Sequence, residues 1–218
     1  MSEQAGPEAQ PDEPRRRPVG QSLLLWRHRL GFLLLALAMV LALDQYSKLW
    51  VRDNLAAPIP ATVHGGDVRY RGQRELVLVR GIFHLRYVEN PAAAFSLLRS
   101  VPEDLRLPLL IGVNGLAMIL LSVWLWRLRR PDGVLIAGLA LVTAGVAGNL
   151  TDRLWHGSVI DFVVWMVQRW WPSVPEWPTF NLADIAIVCG TVCILVRLLV
   201  PFRSDLPEVA QRVLTRGR

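Results

Sequence analysis

The sequence predicts an all-α membrane protein: four transmembrane helices, a small extracytoplasmic β-rich cradle and an interfacial segment. Three observations predict it. Apolar residues make up 52% of the 218, but they are gathered into four runs, at about 30–51, 105–126, 134–150 and 182–202. Each is about long enough to cross a hydrocarbon core of about 30 Å, which takes roughly 17–25 helical residues, and none shows the polar face of a soluble helix. The net charge of +6 is carried mostly by arginines outside these runs. Arg15, Arg16, Arg17, Arg27 and Arg29 precede the first run, Arg127, Arg129 and Arg130 separate the second from the third, and Arg203, Arg212, Arg216 and Arg218 follow the fourth. With four spans these three regions share one side, which the positive-inside rule makes cytoplasmic, together with both termini. This accounts for the basic charge better than nucleic-acid binding does, and no nucleic-acid partner is expected. Finally, the long connection at 52–104 contains the alternation of a sheet.

Residues 1–29 open with a Pro-, Glu-, Gln- and Arg-rich stretch that cannot bury enough apolar surface to order itself, so a flexible tail is expected. The next stretch imitates a secretory leader, with Ala36-Leu37-Ala38 placed like a cleavage site. Its apolar character continues past Ala38, so it is taken as a retained first span running outward. Near its end, Asp44 and Lys48 stand four apart in DQYSK, where a helix brings them together. A mutually neutralising pair at the interface is favoured over a catalytic Asp44. Trp50 marks the boundary.

In the outer insert, ELVLVRGIFHLRYVEN at 75–90 reads as two short strands split at Gly81. Phe83, Leu85 and Tyr87 alternate with His84, Arg86 and Val88. NPAAAFSLL at 90–98 follows, and two readings stand level: a tight turn into the next helix, or a small-residue floor facing a substrate with Asn90 as hydrogen-bonding group. RLRRPDG at 127–133 allows only an antiparallel hairpin between the second and third spans. SVIDFVVWMVQRWW at 158–171 is too short and too polar for a crossing and is expected to lie along the outer interface. Pro172, Pro175 and Pro178 close it, and Thr179 or Asn181 can cap the last helix. Cys189 and Cys193, four apart in that helix, are read as small buried packing residues rather than a disulfide or metal pair. Residues 203–218 form a second cytoplasmic tail.

The chemistry is concentrated between Gly148 and Ile185. Asn149 stands three residues before Asp152 and Asn181 three before Asp184, so each pair shares a helical face. An ionisable group near a bilayer is a functional candidate, with ion pairing as the rival account. Asp152 has only the adjacent Arg153, which diverges from it on a helix, and Asp184 has no cation near it in sequence. If the third and fourth spans are antiparallel, the two carboxylates meet, share a proton and work as acid and base, oriented by Asn149 and Asn181. No HExxH zinc motif, GxSxG elbow or glycine-rich phosphate loop occurs, so neither metal nor cofactor is expected.

Taken jointly, DQYSK at 44–48, ENPAAAF at 89–95, GNLTDR at 148–153, HGSVIDF at 156–162 and FNLADIAI at 180–187 resemble the bacterial lipoprotein signal peptidases, or signal peptidase II. The resemblance spans residues 30–202. It implies a four-span aspartic endopeptidase of the cytoplasmic membrane, active near the extracytoplasmic face. Such enzymes remove the signal peptide from diacylglyceryl-modified prolipoproteins, before the lipidated cysteine, and are inhibited by the cyclic peptide globomycin. The implied partners are that substrate and membrane lipid, and a monomer is expected. The catalytic pair carries over onto Asp152 and Asp184, with supporting polar groups at Asp44, Lys48, Asn90, Asn149, Arg153 and Asn181. Ala92 stands where the family usually has glycine, and the connections at 56–75 and 163–178 are longer than the family core requires. The alternatives from other classes are a small proton-coupled transporter using intramembrane carboxylates and a non-enzymatic assembly subunit.

Overall fold

A computed structural model describes residues 19–59, 69–91, 101–128, 132–174 and 176–200. The elements run α1 (Val19–Leu55), β1 (Ala56–Ile59), β2 (Arg69–Gly72), β3 (Glu75–Val79), β4 (Phe83–Asn90), α2 (Glu103–Arg127), α3 (Gly133–His156), β5 (Val159–Trp165) and α4 (Leu182–Leu199). Met1–Phe32 and Leu33–Arg218 are separate compact units. The described part of the first unit is the beginning of α1, which starts inside the stretch expected as a tail. Everything below concerns the second unit.

The four apolar runs are helices. Among the described residues, Leu34–Leu55, Asp104–Arg127, Gly133–His156 and Leu182–Leu199 are long and apolar enough to cross a membrane. Large side chains such as Leu105, Leu116, Ile119 and Leu120 on α2 and Val188, Leu195 and Leu198 on α4 are exposed. Such surfaces suit lipid and not water. α3 runs past Asn149 and Asp152 to His156, where Gly157 at φ 73° ends it in the left-handed conformation. That is the usual role of a glycine after a helix C-terminus.

α3 and α4 touch through glycines. A Cβ at Gly138 would stand 2.8 Å from the Gly190 carbonyl oxygen, and one at Gly190 2.6 Å from that of Gly138. A Cβ at Gly145 would collide with the Ala183 carbonyl oxygen, and one at Gly148 would lie 2.6 Å from Asp44 Oδ2. Small residues let helix backbones approach inside a membrane. At the α3 N-terminus, Asp132 accepts from the Leu135 amide at 2.9 Å and pairs with Arg197 in the last turn of α4. Burial there works against the carboxylate, but its bonds to Arg197 and the helix amides hold it below the usual range. Cys193 is half-buried against Gly138, whereas Cys189 is exposed and so is not the buried packing residue expected.

The sheet holds a correction. β3 and β4 form the expected hairpin, with Gly81 at φ 73° in the turn. The segment expected along the interface instead begins with β5, which pairs antiparallel with β4 to give the order β3-β4-β5. The reason is its burial: Val159, Ile160, Phe162 and Val164 are all buried, so both faces of the strand are covered. A strand covered on both faces reads as a continuous apolar run. β1 and β2 form a separate two-stranded ribbon. Val51 and Leu55 at the end of α1 pack with Tyr87, Ile160 and Phe162, which seats the sheet on the bundle. Residues 92–98 of the alanine-rich turn lie outside the described residues.

Gly145→Ala is expected to force α3 and α4 apart and to lower stability by about 1–3 kcal/mol, the usual cost of overpacking. Gly115→Ala, where nothing stands within 4 Å of the added carbon, is expected to be neutral. Thermal unfolding of the two purified variants in the same detergent compares them.

Candidate active site

The site forms where the end of α3, the start of α4, the later part of α1 and the strands β4 and β5 converge. Its keystone is Asn181, fully buried. As the N-cap of α4 it closes a capping box: its Oδ1 accepts from the Asp184 amide at 3.0 Å, and its own backbone N–H donates to Asp184 Oδ2 at 3.2 Å. This local exchange satisfies two N–H groups of the helix start. Its Nδ2 turns the other way, toward Asp161 Oδ1 at 2.8 Å, Asn149 Oδ1 at 3.1 Å and the Ile160 carbonyl at 3.3 Å.

One residue therefore holds two carboxylates, those of Asp184 and Asp161. Asp161 comes from β5, where it pairs across the sheet with Val88, and is 2% exposed. Asn90, at the end of β4, donates through Nδ2 to Asp161 Oδ2 at 2.9 Å. Burial, followed by the neighbouring charge of Asp184, pushes the Asp161 carboxyl up to about 7, against the pull of its amide donors. Asp184 is partly exposed and accepts from Asn149 Nδ2 at 2.9 Å.

Asp152 occupies a different place from the one its spacing suggested. It is 1% exposed, and Lys48 Nζ stands 2.9 Å from its Oδ2. The Ile160 amide donates to the same oxygen at 3.1 Å, and Gln45 Nε2 donates to Oδ1 at 2.9 Å. Among the described residues no hydrogen bond joins Asp152 to Asp184. Asn149 and Asp152 do share a face of α3, but what they share it with is Lys48, which also donates to Asn149 Oδ1 at 3.3 Å. The ammonium pairs in addition with Asp44 Oδ2 at 2.8 Å, so the expected Asp44–Lys48 pair exists and is buried within the protein. Asp44 Oδ1 accepts from the Ala183 amide at 2.8 Å.

Arg153 is buried, and its Nη1 donates to the Asn149 carbonyl at 3.1 Å. Its charge acts on Asp152, Asp161 and Asp184, and its Nε has no partner among the described residues. Of the residues singled out from sequence, Asn90 and Asn181 thus meet at one carboxyl group that was missed, Asp161, and Asn149 and Asp184 join it through Asn181. The signal for it was the lone acid inside an otherwise apolar strand, whose burial demands partners. No group of three or more His, Cys, Asp or Glu side chains able to hold a metal occurs among the described residues.

Fold and site together define the class: a multi-pass membrane protein with a cluster of hydrogen-bonded aspartates at one end of its helical bundle. The family follows from comparison. The Signal peptidase (SPase) II family matches residues 36–200, and the chain belongs to it. Lipoprotein signal peptidases of Moorella thermoacetica and Xylella fastidiosa are 38% and 34% identical to it. The alignments cover 78% of this chain and 93% of the first, and 81% and 89% for the second. Two solved structures of bacterial membrane enzymes share the fold with TM-scores of 0.59 at 20% and 18% identity. They align with 78% and 79% of this chain and 88% and 95% of their own. The transporter and assembly-subunit readings lapse with this membership.

Asn181→Ala is expected to cost about 1–3 kcal/mol, from a lost cap and from acceptors left without a donor. Asn181→Ser restores the cap alone, so it is expected to unfold between Asn181→Ala and the wild type in a denaturant titration.

Proposed function

We propose that Asp161 and Asp184 are the proton-sharing pair with which this chain, an aspartic peptidase of the signal peptidase II family, cleaves the signal peptides of prolipoproteins. The observation that carries the pairing is the double hold of Asn181 on both carboxyl groups. The sequence spacing put Asp152 in this role. Against it stands Lys48, whose ammonium is ion-paired with Asp152 and so favours its ionised form over a shared proton.

Two carboxyls joined through one asparagine, the charge of one acting on the other, cannot both ionise cheaply, so one proton is kept by the pair. Asp161, whose carboxyl is pushed up to about 7, carries it. Asp184, the more accessible of the two, takes a proton from water as the water oxygen bonds to the scissile carbonyl carbon. Asp161 passes its proton to the carbonyl oxygen, giving a neutral gem-diol. As the diol collapses, one of its hydroxyls returns a proton to Asp161 while the C–N bond breaks and the proton held by Asp184 goes to the leaving nitrogen. The pair so regains its starting state, and the new carboxyl then ionises to solvent. The products are a signal peptide ending in a carboxylate and a new amino terminus. Asn90 and Asn149 orient the two acids, one apiece. Arg153, buried beside Asp152, Asp161 and Asp184, contributes positive charge to the site.

The substrate is a diacylglyceryl-modified prolipoprotein cut before its lipidated cysteine, whose acyl chains remain in the bilayer beside the exposed apolar helix faces. The termini lie on the cytoplasmic side and the site at the extracytoplasmic end, following the arginine distribution. A peptide inhibitor of the globomycin type competes for the cleft over Asp184, and the working unit is the monomer.

Incubating the purified chain with a diacylated prolipoprotein tests the reading. The wild type is expected to release the signal peptide, and Asp161→Asn and Asp184→Asn to lose on the order of 10³-fold or more in kcat. Full activity in Asp161→Asn removes the pairing. Because Asp161 must be protonated, kcat is expected to fall as pH rises through about 7. Stability follows the same sign: a carboxyl held above its ordinary value of about 4 binds its proton more tightly when folded. Its contribution is therefore complete below about 4 and lost as pH rises through about 7. Unfolding midpoints across that window are expected to slope in the wild type and to slope less in Asp161→Asn.

A further inference from the structure

Asp44, Lys48 and Asp152 form a buried charge cluster that the chemistry above does not use. Both ion pairs are nearly closed to solvent, with side-chain exposures of 2% for Lys48 and 1% for each aspartate. A pair that only stabilised α1 would lie at its surface, where such i, i+4 contacts cost little desolvation. Here three charges are taken out of water, which is expensive unless every donor and acceptor is used.

They are used in a telling way. Lys48 Nζ reaches three oxygens, those of Asp44, Asp152 and Asn149, one for each of its protons. Asp44 also accepts from the amide of Ala183, the residue immediately before Asp184. Asp152 also accepts from the amide of Ile160, the residue immediately before Asp161. Asn149 Oδ1, taken by Lys48 and Asn181, leaves its Nδ2 facing Asp184 Oδ1. Gln45 Nε2 closes the cluster by donating to Asp44, Asp152 and the Gly148 carbonyl.

We propose that Lys48 is the positioning residue for both reacting carboxyls: with Asp44 and Asp152 it forms a clamp that fixes the backbone directly before Asp161 and directly before Asp184. The clamp touches neither substrate nor water. It sets the separation of the two acids, and it makes the separation the same whether or not peptide is bound. This rests on the Asp161–Asp184 reading. It also gives Asp44 and Asp152 a common task although they lie on different helices.

Turnover of a diacylated prolipoprotein by Lys48→Met, Asp44→Asn, Asp152→Asn and Asp161→Asn, each checked for folding by thermal unfolding, tests the clamp. Misplacing reacting groups by about 1 Å costs on the order of 10²-fold, and that loss is expected in kcat for folded Lys48→Met. KM is expected to stay close to wild type and the limbs of the pH–kcat profile to move. Asp44→Asn and Asp152→Asn each keep an oxygen for the backbone amide, so smaller losses with the same displaced profile are expected, while Asp161→Asn is inactive. Wild-type kcat and pH profile in folded Lys48→Met overturn the clamp. So does an Asp152→Asn variant as inactive as Asp161→Asn, because Asp152 would then take part in the chemistry. If Lys48→Met does not fold, the two asparagine variants decide, and wild-type kcat and profile in both overturn the proposal. Turnover by Asp161→Asn instead removes the dyad reading, an outcome separate from any behaviour of Lys48→Met.

Discussion

Where α3 meets α4 there is no room for a side chain at 138, 145, 148 or 190, and the polar architecture depends on that closeness. Asparagine is short. Asn149 on α3 can reach both Asn181 and Asp184 on α4 only because the two backbones are nearly in contact. The same closeness brings Asp44 of α1 against Gly148 and within bonding distance of the Ala183 amide. In hydrocarbon there is little hydrophobic force between helices, so close packing and interhelical hydrogen bonds carry the association. Here both come from the same few residues.

Two acidic groupings lie side by side and differ in what surrounds them. Asp44 and Asp152 share an ammonium. Asp161 and Asp184 are held by the amides of Asn90, Asn149 and Asn181, with no ion pair to a cation among the described residues. An amide orients a carboxyl without cancelling its charge, so the charge of Asp184 still acts on Asp161. Asn149 belongs to both groupings, giving its oxygen to the ammonium and its nitrogen to Asp184. Arg153 stands over the acids with part of its guanidinium unspent, which moderates their field without claiming either one.

Much of this was legible in the sequence because the membrane simplifies the code. Length and unbroken apolarity are enough to find α1 to α4, and alternation with a glycine is enough to find the β3–β4 hairpin. β5 hid because both its faces are covered, so VIDFVVW shows no alternation. Asp161 was hidden with it, since an acid in an apolar run looks like an interruption. The Asn-x-x-Asp spacing correctly put Asn149 and Asp152 on one face. What it could not reveal is that Lys48, 101 positions from Asn149, waits on that face. Ion pairing was judged from neighbours along the chain, and here the cation comes from another helix. The start of α1 at Val19, earlier than its apolar run, was likewise beyond a reading based on hydropathy.

Asn181 and Asp184 sit at the start of α4, the last helix among the described residues. A ribosome that has delivered α1, the strands and α3 into the bilayer has therefore made three of the four clustered aspartates and not yet the keystone. The network around Asn181 is closed only when α4 threads into place, late in synthesis, so the polar centre is completed after the elements that surround it.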